Sequence, residues 1–205
     1  LNETSYLNAA GTASPLNNGN LATGDATGID TGEGDDQLMV DTSATGDDRA
    51  ISLSDTQLTL TDNGTPATPL GSVSLSGTAG DDLATLTGGA GDDAFNVDGW
   101  TSAAEVVGGT GTNSLTGRDE ASTWDINANT GGTISNTGQG DITYSMVDEL
   151  IGGTGNDTFI VDNAVTMLAS IDGGAGGVNT LNLEAATGPL AATLTALGGG
   201  VGFAG

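Results

Sequence analysis

Apolar side chains fall on every second position in many short stretches of this chain. Ala50-Ile51-Ser52-Leu53-Ser54, Gln57-Leu58-Thr59-Leu60-Thr61 and Gly71-Ser72-Val73-Ser74-Leu75-Ser76 alternate cleanly, and Trp124-Asp125-Ile126 and Gly132-Thr133-Ile134-Ser135 continue the pattern. Period two is the mark of a strand with one buried face. Three related segments carry it most clearly. Leu38, Phe95 and Phe159 occupy one inward position and Val40, Val97 and Val161 the next, each run closing on an Asp (Asp41, Asp98, Asp162). Ile134 belongs to the same inward layer. Helical signals are weak: 101–107, 165–171 and 189–197 are short and read equally well as strands or turns.

Paired glycines punctuate the strands at Gly88, Gly108, Gly131, Gly152, Gly173 and Gly198, with spacings of 20, 23, 21, 21 and 25 residues. Such regularity predicts an all-β fold, a parallel β-solenoid with coils of about 21 residues and three short strands per coil. Roughly ten such coils stacked at about 4.8 Å would make a rod of about 45–50 Å. A longer repeat lies over the first, Gly88–Asp98 returning as Gly152–Asp162 after 64 residues, a distance expected to be three coils. An antiparallel β-sandwich is the alternative, because alternating strands joined by Gly-rich turns also describe sandwiches. Residues 1–28 form a polar lead-in, and 29–205 the repeat domain. Its last stretch, Ala196–Gly205, resembles an uncapped coil. Asn63–Pro69, with two prolines, is expected to be a loop protruding from the rod.

Charge narrows the function. There are 27 acidic residues against two basic ones, Arg49 and Arg118, no His and a net charge of -25. That balance excludes nucleic acid as a natural partner and makes anionic membranes repulsive. It suits a protein bathed in salt or carrying divalent cations between its carboxylates. Cysteine is absent, so no disulfide or thiolate site exists. No apolar run approaches the roughly 20 residues of a membrane span.

The glycine turns carry the candidate chemistry. Gly88–Asn96 and Gly152–Ile160 match G-G-x-G-x-D-x-U-x, U being a large apolar residue, at every defined position. Thr31–Met39 lacks the first glycine; Gly77–Thr85 lacks the second and has Ala84 at the apolar place. Glycines let the backbone turn tightly and aim its carbonyls inward, and the sixth-position Asp adds a hard anionic oxygen of the kind calcium accepts. These turns resemble the RTX, or haemolysin-type calcium-binding, repeats of secreted bacterial proteins. The longer unit, with Gly111–Leu115, Ser122–Ile126 and Met146–Gly153, is similar to repeats of large bacterial surface adhesins. The resemblance covers roughly residues 29–183. It implies Ca2+ as cofactor, shared between stacked turns by Asp36, Asp82, Asp93 and Asp157 with the turn carbonyls at Gly89, Gly91, Gly153 and Gly155. Asn113, standing where a ligand Asp is expected, joins that set. RTX rolls use tandem nonapeptides, whereas most turns here stand alone, so two to four ions are expected rather than one per coil.

The competing reading makes the same Asp and Asn residues ordinary turn formers that accept their own backbone amides. Asp41, Asp98 and Asp162 are either a second row of ligands or caps on strand ends. Trp100 and Trp124 either fill coil ends or stack on sugars, with burial favoured. Arg49 and Arg118 are expected at the surface, paired with neighbouring acids. Without His, Lys or Cys, catalysis would rest on carboxylates and hydroxyls, and every acidic cluster already has a place in a turn. The chain is therefore expected to be a non-enzymatic, extracellular or cell-surface structural module, either self-associating end to end or continuing in a larger chain, with a surface glycan or matrix as further partner. A calcium-dependent folding or secretion module is the alternative, and a carbohydrate-acting β-helix enzyme the third.

Overall fold

The computed structural model describes residues 5–7, 13–15, 29–30, 37–43, 48–63, 67–76, 83–166 and 170–186. In chain order the strands are β1 Ser5–Leu7, β2 Ala13–Pro15, β3 Ile29–Asp30, β4 Gln37–Asp41, β5 Arg49–Ser54, β6 Gln57–Asp62, β7 Thr68–Ser76, β8 Leu83–Thr87 and β9 Ala94–Gly99. They continue as β10 Ala103–Val107, β11 Ser114–Thr116, β12 Thr123–Ala128, β13 Gly131–Ser135, β14 Ile142–Ser145, β15 Glu149–Ile151, β16 Thr158–Val161, β17 Ser170–Asp172 and β18 Thr180–Asn182. The fold is all-β: no helix occurs among the described residues. β1 and β2 pair with each other within the polar lead-in.

The remaining strands form two sheets of eight. The first runs β18-β16-β12-β13-β14-β10-β8-β4 and the second β17-β15-β11-β9-β5-β6-β7-β3. Successive visits of the chain alternate between them: β3 lies in the second sheet, β4 in the first, β5–β7 in the second, and so on to β18. Both sheets are mixed, where a mainly parallel solenoid was expected. Most neighbours pair in parallel, but β5-β6-β7 and β12-β13-β14 are antiparallel meanders set into the stack. The β13 meander explains one misread signal. Gly131-Gly132 is not a turn but the start of β13, because Gly132 must pass close to the Tyr144 hydroxyl and the Asp125 carbonyl, leaving no room for a Cβ.

The chain thus returns to the same sheet at every second visit, where three strands per coil were expected. Between the Gly88 and Gly152 turns the chain makes five sheet visits (β9, β10, β11, β12–β14, β15), an odd number, so the 64-residue repeat changes side.

The core lies between the sheets. β4 buries Leu38 and Val40, β9 Phe95 and Val97, β16 Phe159 and Val161, and β13 Ile134. Both tryptophans are buried, and Trp124 stacks on Phe159 with centroids 5.3 Å apart and meets Tyr144 edge-on. The short 101–107 and 165–171 segments contain β10 and the start of β17; 189–197 lies outside the described residues, as does the 196–205 coil. Of the proline loop, Thr68 and Pro69 already belong to β7.

Both arginines depart from the surface placement expected of them. Arg49 is 6% exposed and Arg118 is 0% exposed. The Arg118 guanidinium donates from Nε to the Trp100 carbonyl (2.6 Å), from Nη2 to the Ser102 carbonyl (2.8 Å) and from Nη1 to Asn136 Oδ1 (3.0 Å). Three oxygens, none of them a carboxylate, give the charge its solvation. Burial pushes its pKa down, while Glu120, Asp55 and Asp141 pull it up. Arg49 Nη1 lies 3.5 Å from Asp62 Oδ2.

Candidate functional site

The glycine turns stack in two columns, one along each edge of the two-sheet body. Turns from the first sheet to the second end at Arg49, Asp93, Asn113 and Asp148; turns from the second to the first end at Ser122, Asp157 and Asn179. Asp93 and Asp157 thus stand on opposite edges. They cannot share an ion, because an odd number of sheet visits separates them. Asp36 and Asp82 lie outside the described residues.

Within each column the side chains form a ladder to main-chain amides. Arg49 N–H donates to Asp93 Oδ1 (2.8 Å), Asp93 N–H to Asn113 Oδ1 (3.0 Å) and Asn113 N–H to Asp148 Oδ2 (3.0 Å). On the other edge Ser122 N–H donates to Asp157 Oδ1 (3.0 Å) and Asp157 N–H to Asn179 Oδ1 (2.9 Å). Asp93, Asn113, Asp157 and Asn179 are all buried. An outer row runs in the opposite sense. Asp48 Oδ1 accepts from Asp92 N–H (3.0 Å), Asp92 Oδ1 from Thr112 N–H (2.7 Å), Asp119 Oδ1 from Thr154 N–H (3.2 Å) and Asn156 Oδ1 from Val178 N–H (2.6 Å). Neighbouring turns are clamped in both directions, and each bond, apart from that of Arg49 at the start of β5, satisfies an amide outside the strands.

The second atom of Asp93, Asp157 and Asn179 faces its own turn, and that of Asn113 lies between its own turn and the next. Asp93 Oδ2 accepts from Gly89 N–H (2.8 Å). Asn113 Nδ2 donates to the Met146 carbonyl (3.0 Å) and, at 3.4 Å, to that of Gly109; Asn179 Nδ2 donates to Gly173 (2.7 Å) and Gly176 (3.2 Å). Asp157 Oδ2 is buried without a hydrogen bond. The Gly153 amide faces that carboxyl closely enough to lower its pKa but does not reach Oδ2 in bonding geometry. Burial pushes both carboxyls up. At Asp93 the Gly89 and Arg49 amides oppose this and Asp48 adds to it; at Asp157 Ser122 and Gly153 oppose and Asp119 adds.

At Asp93, Asn113 and Asn179 this donor set does not fit calcium. Calcium needs six to eight oxygens around one point, whereas Asp93 points both oxygens at N–H groups, which are donors. The carbonyls that converge do so on the NH2 groups of Asn113 and Asn179. Gly89 serves as a donor to Asp93, and its carbonyl accepts from Thr110 N–H at 3.0 Å. The Gly91, Gly153 and Gly155 carbonyls lie against the glycine Cα atoms of the next coil, at Gly111, Gly174 and Gly177. Among the described residues no three acidic groups come together to hold a metal. Of the strand-end acids, Asp41 Oδ1 accepts from Ser43 N–H (2.9 Å) and Asp162 Oδ1 from Asn163 N–H, as caps do; Asp98 is exposed.

Asp148, Asp48, Asp92, Asp119, Asn156 and Asn179 were not singled out by sequence reasoning. Asn179 had a signal: it closes a Gly-rich turn as Asn113 does. Asp148 had none, since no glycine motif precedes it. Comparison with family models, with curated proteins and with solved structures found no match.

Proposed function

We propose that this chain is a non-catalytic structural module of an extracellular surface, a β-solenoid of two-strand coils whose two meanders are local insertions. One observation carries the reading. The same coil-to-coil bonds recur along both edges of a chain that alternates strictly between two sheets. Such a geometry adds coils without changing shape, so length is its natural product. A charge of -25 on 205 residues keeps the sides of such a rod apart in solution. Further coils, or other copies of the chain, extend it by strand pairing, and a surface glycan or matrix is its partner. The module holds its turns with main-chain amides. Calcium, which the turn motif implies, belongs to this reading at Asp36, Asp82 and Asp157 or as a counterion between copies, and not at Asp93, where amides take both oxygens.

Sedimentation velocity across a wide protein concentration range, at high salt, in calcium and in chelator, tests the proposal. End-to-end growth raises the sedimentation coefficient with concentration once salt or calcium screens the charge. A single species with the monomer's coefficient under all three conditions would count against an assembling rod.

A further inference from the structure

The acid-ending and amide-ending turns differ in more than their last side chain. In the two Asn turns two glycines have positive φ: the second and fourth residues of 108–113, Gly109 at 95° and Gly111 at 121°, and the second and fifth of the one-residue-longer 173–179, Gly174 at 86° and Gly177 at 69°. The corresponding glycines of the two Asp turns, Gly89, Gly91, Gly153 and Gly155, are not among the positive-φ residues. The hydrogen-bond polarity changes in step. Asp93 accepts the Gly89 N–H, and the Asp157 carboxyl is faced by the Gly153 amide, though its Oδ2 makes no hydrogen bond. Asn179, by contrast, faces the carbonyls of its own Gly173 and Gly176. Asn113 faces that of Gly109 at 3.4 Å and, from the next turn, that of Met146. On both edges an Asn turn stacks directly on an Asp turn, and its positive-φ glycines sit over the carbonyls that the turn beneath directs at it. Only glycine tolerates that approach and that φ.

We infer that the Asp or Asn that closes each turn selects between two turn conformations of opposite hydrogen-bond polarity: a carboxylate draws the glycine N–H inward, a carboxamide draws the carbonyls inward. The Asp/Asn difference within the motif is then a folding instruction, not the presence or absence of an ion ligand. Stacking the two kinds of turn is complementary, because the carbonyls one turn discards are accommodated by the next.

Isosteric exchange tests this without changing size. Asp93→Asn, Asn113→Asp and Asn113→Ala are melted in chelator and in calcium, and amide hydrogen exchange is followed at Gly89. Asn113→Asp aims an acceptor at the Met146 and Gly109 carbonyls, so it lowers the melting temperature more than Asn113→Ala, which only deletes the group. Asp93→Asn lowers it by the same amount in both buffers and speeds Gly89 exchange by about tenfold or more, the loss of roughly one hydrogen bond to a charged acceptor. Should Asn113→Asp not fold, Asn179→Asp against Asn179→Ala asks the same question on the other edge. The inference is overturned if Asp is tolerated better than Ala at these positions. Equally, it is overturned if Asp93→Asn is neutral in chelator and costly in calcium, or leaves Gly89 exchange unchanged.

Discussion

Asn113 Oδ1 accepts the main-chain N–H of Asp93 at 3.0 Å across 20 residues of sequence. Neither residue is in a strand, yet the bond joins consecutive coils as a strand pair does. Turns in this protein are therefore part of the stacking, and the predictions below follow from treating them so.

Arg118 is the strongest single anchor among the polar residues. Its guanidinium gathers the Trp100 and Ser102 carbonyls and Asn136, while Asn136 Nδ2 in turn binds the Ala121 carbonyl and Ser122 Oγ. Arg118→Ala leaves several buried acceptors unpaired and is expected to cost about 3–5 kcal/mol. Arg118→Lys recovers little, because one ammonium cannot span three divergent oxygens. Urea midpoints with a common slope would measure both. A cost below about 0.5 kcal/mol, the range of surface substitutions, would show that the arginine is not the anchor described.

Stability should rise on mild acidification. Burial places the folded-state pKa of Asp93 and of Asp157 above the ordinary value. The native state therefore keeps these protons at a pH where the unfolded chain has released them. Their contribution is fully present below the unfolded carboxylate pKa of about 3.9 and is lost as pH rises through the folded value. The melting temperature is expected to increase as pH falls from neutral towards the unfolded carboxylate pKa of about 3.9, and a variant with both residues changed to Asn should show a flatter profile. A melting temperature that falls steadily over that interval, unchanged in slope by the double variant, would be the opposite result.

The Trp124–Phe159 stack, at 5.3 Å and 25° between planes, holds β12 against β16. Each residue changed to Ala should cost about 3–5 kcal/mol. The double variant should show a coupling of about 0.5–1.5 kcal/mol beyond simple addition. Strict additivity would mean the rings merely fill space.

Glycine positions separate backbone strain from crowding. Gly138 has φ 78° with nothing within 4 Å of a built Cβ, so Gly138→Ala should cost only the left-handed penalty of about 1–2 kcal/mol. Gly109 has φ 95° and its Cβ would run into the Gly89 carbonyl. Gly109→Ala should cost clearly more, and equal costs would argue against the close turn-to-turn stacking.

The inward strand positions were legible because period two needs no knowledge of partners: Leu38, Val40, Phe95, Val97, Ile134, Phe159 and Val161 are all buried. The coil was harder to read. Gly131-Gly132 imitates a turn signal, since a glycine pair looks the same whether it bends the chain or lets a tyrosine pass. Two strands and three strands also fit a spacing near 21 equally well. Arg118 reads as a surface residue because acids flank it, and nothing local announces the carbonyls that bury it. The turn acids misled in a different way. Asp and Asn differ little in size, so the motif shows which residues fill the turn but not whether their partners are cations or amides.

Amide hydrogen exchange in chelator tests the central claim, that the coils are bonded through their turns on both edges. Arg49, Asp93, Asn113, Ser122 and Asp157 each donate to a side chain of the next coil. All but Arg49, the first residue of β5, lie outside the strands. These amides should exchange as slowly as those of β9 and β12, with protection lost in step with global unfolding. Exchange at the rate of open loops, while the strands remain protected, would contradict the account.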